Sequence, residues 1–128
     1  MTSDELAAVA RQLFDAYGAG DLAAFRDLLA DDLTAYVTNA AAGVDELRGV
    51  EAYMSRLPDL HAAGGHLRIT QVLPVGDAHV LTMVEIRAER DGRQLHNFAA
   101  FLAEVAHGKV TRLWMVDALP ADSDEFWA

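Results

Sequence analysis

Two side chains in the second half of the chain have types suited to acid–base chemistry. Asp117 closes an apolar segment, and His96 lies in the apolar segment before it. A carboxylate beside an imidazole in an apolar pocket can share a proton and act as general acid or base near neutral pH. The alternative for Asp117 is structural, with its carboxylate bonded to helix backbone or to a tyrosine hydroxyl. The choice depends on the elements that position the two residues.

Several other kinds of chemistry are disfavoured by residue content and spacing. The chain has no cysteine, which excludes disulfides, thiolate metal sites and a thiol nucleophile. His61, His66, His79 and His107 do not share metal-ligand spacing on one element, so we predict no metal. There is no glycine-rich phosphate loop and no G-x-S-x-G nucleophile motif. We therefore expect no cofactor.

Length and charge narrow the class of protein. A chain of 128 residues, 52% of them hydrophobic, suits a single domain over residues 1–128. Its 20 acidic and 10 basic residues give a net charge of −10, which disfavours nucleic-acid binding. No apolar run reaches membrane-spanning length, and the N-terminus is acidic where a signal peptide would be basic. We expect a cytoplasmic protein without a membrane partner.

The first half of the chain is predicted to be mainly helical. Apolar residues recur at helical spacing, whereas residues 33–39 are rich in β-branched and aromatic types. Ser3 and Asp21 are plausible N-caps, and Pro58 should kink or end the helix that contains it. The predicted elements are a helix over 4–18, a short helix from Asp21 to before Asp31, a strand over 33–39, a loop over 40–49 and a helix over about 50–62.

The second half is predicted to be an antiparallel meander. Period-two patterning continues to residue 118 and is interrupted at Gly76-Asp77, Asp91-Gly92 and His107-Gly108. The predicted strands are 66–75, 79–90, 93–106 and 109–118, and the last residues, DSDEFWA, should form a helical turn. Three helices followed by a meander predict an α+β domain whose helices cover one face of a curved sheet.

This order, ααβαββββ, resembles the nuclear transport factor 2-like superfamily, a cone-shaped fold with a curved mixed or antiparallel sheet. Ketosteroid isomerases, limonene epoxide hydrolases and SnoaL-like polyketide cyclases belong to it. The resemblance covers nearly the whole chain and rests on YGAGDLAAFRDLLADDLTAYV, LRGVEAYM, HGKVTRLW and DEFW. It indicates the fold and leaves the reaction open, because one scaffold hosts enzymes, ligand binders and assembly domains.

Hairpin register predicts which side chains share a face. A two-residue loop at His107-Gly108 pairs 98 with 117, so Phe98 and Asp117 share a face and His96 is a diagonal neighbour of Asp117. The turn at residues 90–92 is ambiguous. A two-residue loop there places Glu85, Arg87 and Glu89 on the His96 face, whereas a three-residue loop places Thr82, Val84, Ile86 and Ala88 there. We favour the three-residue loop because unpaired charges in a cavity would cost several kcal/mol.

The resemblance implies which face lines the cone. Aligning HGKV with the ketosteroid isomerase hairpin turns the Asp117 face inward, and the opposite face of such sheets commonly packs against a second subunit. We therefore expect a homodimer through Phe101, Trp114 and Val116. The predicted catalytic pair is Asp117 and His96, and the predicted ligand-binding residues are Leu13, Tyr17, Val37, Tyr53, Leu57, Val84, Ile86, Phe98, Ala100, Leu113 and Met115.

The known reactions of the superfamily do not transfer directly. By the resemblance, the ketosteroid isomerase base falls at Val37, and its oxyanion tyrosine and aspartate fall at Leu13 and Ala100, so those groups are absent. The Asp-Arg-Asp network of limonene epoxide hydrolase is also incomplete, since His96 and Phe98 stand where Arg and Asp are needed.

What remains is a cofactor-free acid–base enzyme of cyclase, isomerase or dehydratase type, acting on a small hydrophobic carbonyl-bearing molecule. The alternatives are a non-catalytic binder of the same molecules, anchored by Asp117 and His96, and a dimeric assembly domain. Tyr17, Tyr36 and Tyr53 could donate hydrogen bonds to a ligand carbonyl, although a buried phenol more often bonds to nearby backbone.

Overall fold

A computed structural model describes residues 1–128 and has the predicted α+β architecture. It adds one strand to the predicted order, at residues 44–48, and the predicted C-terminal helical turn is a helix over residues 120–127. The elements are α1 Ser3–Gly18, α2 Leu22–Asp27, β1 Leu29–Thr38, β2 Val44–Arg48, α3 Val50–Arg56, β3 His66–Val75, β4 His79–Arg90, β5 Arg93–Ala106, β6 Lys109–Asp117 and α4 Pro120–Trp127.

Local chemistry explains where the helices begin and end. Thr2, and not Ser3, caps α1, because Thr2 and Glu5 form a reciprocal capping box. Asp21 caps α2 as expected, with its carboxylate accepting from the backbone N–H of Ala24. The third helix ends at Arg56, earlier than predicted, since the residue before Pro58 adopts an extended conformation.

The six strands form one sheet in the order β2-β1-β6-β5-β4-β3. Every pairing is antiparallel except that of β1 with β6, which is parallel. Helix α1 packs against β3 and β4, α3 against β1, and α4 against β5. Twenty-four buried apolar residues fill the space between the helices and the inner face of the sheet. No helix is both long and apolar enough to cross a membrane.

A β-bulge in the β5–β6 hairpin reverses the predicted faces. Ala106 pairs with Lys109 across a two-residue loop, as predicted, but Thr111 has no partner and the register then shifts. The Thr111 hydroxyl donates to the backbone oxygen of Glu104 at 3.2 Å and to its Oε1 at 2.9 Å. Asp117 therefore pairs with Ala99, and the predicted pairing of 98 with 117 is wrong.

The β4–β5 hairpin also differs from our preferred loop. Arg90 pairs with Arg93, so the loop has two residues, Asp91 and Gly92, at φ of 52° and 77°. Positive φ at both positions is the type I′ geometry that Asp-Gly favours in tight hairpins. As a result the charged row of β4, residues 85, 87 and 89, does share a face with His96, but that face is the outer one.

Candidate functional site

A cavity of about 380 Å³ lies between the helices and the inner face of the sheet. This volume is within the usual range for small-molecule sites, and most of the lining is hydrophobic. Helix α4 contributes Pro120, Ser123, Asp124 and Trp127 to the lining. The apolar and aromatic lining residues are Tyr17, Val37, Tyr53, Leu57, Pro58, Leu60, Leu67, Ile86, Leu95, Phe101, Met115, Pro120 and Trp127.

Seven of the thirteen predicted site residues line this cavity: Tyr17, Val37, Tyr53, Leu57, Ile86, Met115 and Asp117. Three others, Leu13, Val84 and Leu113, are fully buried in the surrounding core and do not border the cavity. Phe98, Ala100 and His96 belong to the outer face of β5, because the Thr111 bulge turns the other residue set inward. Phe101, predicted at the outer interface, lines the cavity instead and packs on Phe14.

The predicted pair of Asp117 and His96 does not form. The imidazole Nε2 of His96 is hydrogen bonded to Glu85 Oε2 at 2.7 Å on the outer face, and its ring lies 5.1 Å from that of Phe98. Arg68 also donates to Glu85, at 3.1 Å. The bond with His96, and to a smaller extent the bond from Arg68, holds the pKa of the Glu85 carboxyl below its usual value. His96 is thus part of a surface charge network and not of the cavity.

The Asp117 carboxylate reaches the cavity but is bound by three protein donors. Its Oδ1 accepts from Asn97 Nδ2 at 2.6 Å and from the backbone N–H of Leu119 at 2.8 Å. Its Oδ2 accepts from the Ser123 hydroxyl at 2.7 Å. A carboxylate offers about four lone-pair sites, so roughly one remains for a ligand. The carboxylate therefore ties β6 to α4 and keeps one acceptor position free of protein donors.

Asn97 is the polar residue of this site that sequence reasoning missed. The residue is 2% exposed, and the two hydrogens of its amide nitrogen are shared among Asp117, the backbone oxygen of Leu119 and the Ser123 hydroxyl. Its Oδ1 accepts from the backbone N–H of Phe98 at 2.7 Å. A single amide within an otherwise apolar strand was the available signal, because a buried amide requires partners.

The three tyrosines have different environments. Tyr17 donates its hydroxyl hydrogen to the backbone oxygen of Pro58, so that group is already bonded. Burial, with a smaller effect from Asp59, raises the pKa of Tyr17. Tyr36 lies on the outer face, stacked on Trp114 at 5.7 Å. Tyr53 is 2% exposed, and burial raises its pKa as well, with Tyr17 adding a smaller contribution.

Charge at the cavity is confined to a few groups. Arg56 is the one cation in the lining, and its Nη1 lies 2.8 Å from Asp45 Oδ2. Asp117 and Asp124 are the acidic lining residues. No three side chains of His, Asp or Glu type converge in a way that could hold a metal ion.

Comparison with known proteins decides the family. Residues 10–113 match the model of the SnoaL-like domain. The chain belongs to the SnoaL-like domain family. An uncharacterized protein of Mycobacterium tuberculosis is 35% identical over 131 residues, with 100% of both chains covered. The resemblance noted from sequence is thereby confirmed.

Solved structures share the fold at lower identity. The Bal32a protein, from a soil-derived mobile gene cassette, superposes with a TM-score of 0.81 at 21% identity and covers 98% of each chain. An LEH-like epoxide hydrolase of M. tuberculosis gives a TM-score of 0.74 at 19% identity, covering 98% of this chain and 90% of that one. A Jannaschia protein of the SnoaL-like polyketide cyclase type gives 0.77 at 14%, covering 98% and 94%. At these identities the likeness concerns the fold alone.

Proposed function

We propose that this SnoaL-like chain binds a small hydrophobic, carbonyl-bearing molecule in the cavity beneath α4. The observation that carries the proposal is the cavity itself, about 380 Å³ with a mostly apolar lining and few polar groups. Such a lining favours an apolar ligand because contact removes hydrocarbon surface from water, while a few polar groups orient the ligand. Because His96 lies on the outer face, it has no part in the proposed binding. The ligand would contact only residues that line the cavity.

Titration calorimetry with acetonaphthone, a small aromatic ketone, tests this proposal. We expect saturable binding of one molecule per chain with a negative heat-capacity change, the marker of buried apolar surface. Binding that does not saturate, or no binding up to the solubility limit of the ketone, would contradict it.

A second candidate function is proton transfer by Asp117. It is favoured by the position of Asp117 in the cavity lining and by the one acceptor position that its carboxylate keeps free of protein donors. A carboxylate placed beside a bound ketone can remove a proton from the carbon next to the carbonyl and return it, which is the step common to isomerases and cyclases of this type. Asp117 would act without the imidazole partner that we predicted from sequence.

Replacement of Asp117 by Asn separates catalysis from binding. The amide keeps the shape of the side chain, and its oxygen can still accept hydrogen bonds from Asn97 and Leu119. It is not basic enough to take a proton from the ligand. If Asp117 is a base, the native protein should exchange the methyl protons of acetonaphthone in deuterated water about a hundredfold faster than Asp117→Asn. Proton NMR follows the exchange, and calorimetry should give affinities within about threefold of each other. Native exchange at the buffer rate would exclude the catalytic candidate.

We also propose that the outer face of the sheet binds a second copy of the chain. Met83, Phe98 and Val116 form an exposed apolar patch there, with exposed fractions of 39%, 45% and 56%. Arg68 and Glu85 border this patch with opposite charges, which suits contact with the same patch of another copy about a twofold axis. We retain Trp114 and Val116 in the proposed interface and remove Phe101 from it, because Phe101 lines the cavity.

Sedimentation velocity tests the dimer. We expect a dimer at micromolar concentration and at least about tenfold weaker association for Val116→Glu, because a carboxylate would be buried without a partner. A native chain that sediments as a monomer would refute the interface.

A further inference from the structure

The hydroxyl of Tyr53 is a polar group of the cavity lining that has no protein partner. Side-chain polar atoms that are sealed from solvent all have hydrogen-bond partners, and the Tyr53 hydroxyl has none. The hydroxyl must therefore border open space, although the residue as a whole is 2% exposed. The space that Tyr53 lines is the cavity.

We infer that Tyr53 is the residue that recognises the ligand, by donating a hydrogen bond to a neutral carbonyl oxygen. The inference rests on the proposed binding function and assigns its polar anchor. Neither of the other phenols is available, since Tyr17 donates to the Pro58 backbone and Tyr36 lies outside the cavity. The Tyr53 ring is held by packing on Phe25, with centroids 6.3 Å apart, so the direction of the hydroxyl is fixed before the ligand arrives.

Protonation and charge restrict the partner of this hydroxyl. Burial raises the pKa of Tyr53, so the phenol keeps its proton and acts as a donor at neutral pH. A ligand carboxylate would enter an apolar space whose one cation, Arg56, is exposed and already paired with Asp45. Asp117 and Asp124 would add repulsion. The site therefore selects a ketone or aldehyde over the corresponding acid.

Substitution of Tyr53 by Phe should leave the fold intact. The hydroxyl bonds to no protein group, so its removal leaves no donor or acceptor unpaired and retains the packed ring. Tyr36→Phe is the matched control, because it removes the same atom from the outer face. Unfolding in urea should show similar free energies for both variants and the native chain.

Three probes of similar shape test the recognition: acetonaphthone, ethylnaphthalene and naphthoate. The native chain and Tyr36→Phe should bind the ketone about threefold to tenfold more tightly than the hydrocarbon, the usual worth of one neutral hydrogen bond. Naphthoate should bind most weakly. Tyr53→Phe should bind ketone and hydrocarbon alike. Infrared spectra of carbonyl-labelled acetonaphthone should show a lowered carbonyl frequency in the native complex that rises in Tyr53→Phe.

The possible failures are distinct. If the ketone and the hydrocarbon both bind and Tyr53→Phe changes neither the preference nor the carbonyl frequency, the role of Tyr53 is refuted while the binding function stands. Tighter binding of naphthoate than of the ketone also refutes it. If none of the three probes binds to the native chain, both the binding function and the role of Tyr53 are overturned.

Discussion

Asn97→Ala is expected to lower the free energy of unfolding by about 3 kcal/mol, because hydrogen bonds to a charged group are each worth more than neutral ones. The substitution removes the shortest bond to the Asp117 carboxylate and leaves the backbone N–H of Phe98 without its acceptor. It also removes the bonds from Asn97 to the Ser123 hydroxyl and to the backbone oxygen of Leu119, so α4 should loosen at the cavity.

Urea unfolding measures this change. Gln94→Ala is the matched control, since Gln94 lies on the same strand, is exposed and should change stability by less than about 0.5 kcal/mol. A loss below about 1 kcal/mol for Asn97→Ala would show that the Asp117 network contributes little to holding α4.

Ile86→Trp is expected to weaken acetonaphthone binding by about tenfold or more, because the indole would occupy the space that the ligand needs. Ile86 lines the cavity, whereas its neighbour Arg87 points to the outer face with a side chain that is 62% exposed. Arg87→Trp adds the same side chain one residue along the strand and should bind the ketone as the native chain does. Calorimetry on both variants gives the comparison, and equal affinities would place the ligand outside the cavity.

The boundaries of the strands could be predicted because turn chemistry is local. Strands β3, β4 and β5 begin and end at the predicted residues, next to Gly76, Asp91-Gly92 and His107-Gly108. The glycines have φ between 66° and 77°, a region that other residues rarely adopt. Strand β2 was predicted as loop because its five residues, VDELR, pair at the edge of the sheet and bury little.

The faces of β5 could not be predicted because both are apolar. Phe98, Ala100 and Leu102 suit a core as well as Ala99 and Phe101 do, so patterning does not choose between them. The bulge at Thr111 changes which residues of β5 share a face with Asp117. No glycine in the sequence indicates that a bulge occurs there. The Asp91-Gly92 pair does indicate the outer face of β5. The two-residue loop that it favours pairs His96 with Arg87, which belongs to the charged row of β4.

The helical part of the site was predictable for a different reason. Periodicity within one helix identifies its buried face without reference to any partner. The residues expected there, Leu13, Tyr17 and Tyr53, are all buried, and the two tyrosines border the cavity whereas Leu13 does not. Asp117 also lines the cavity, but its partners come from β5 and α4. Such a network depends on tertiary register, which a single sequence does not encode locally.

Methionine methyl NMR gives the most direct test of the claim that the cavity is the ligand site. Met115 lines the cavity, whereas Met83 lies on the outer face of β4 and is 39% exposed. In the complex with acetonaphthone, we expect nuclear Overhauser contacts from the ligand to the Met115 methyl and none to the Met83 methyl. Contacts to Met83 without contacts to Met115 would contradict the account.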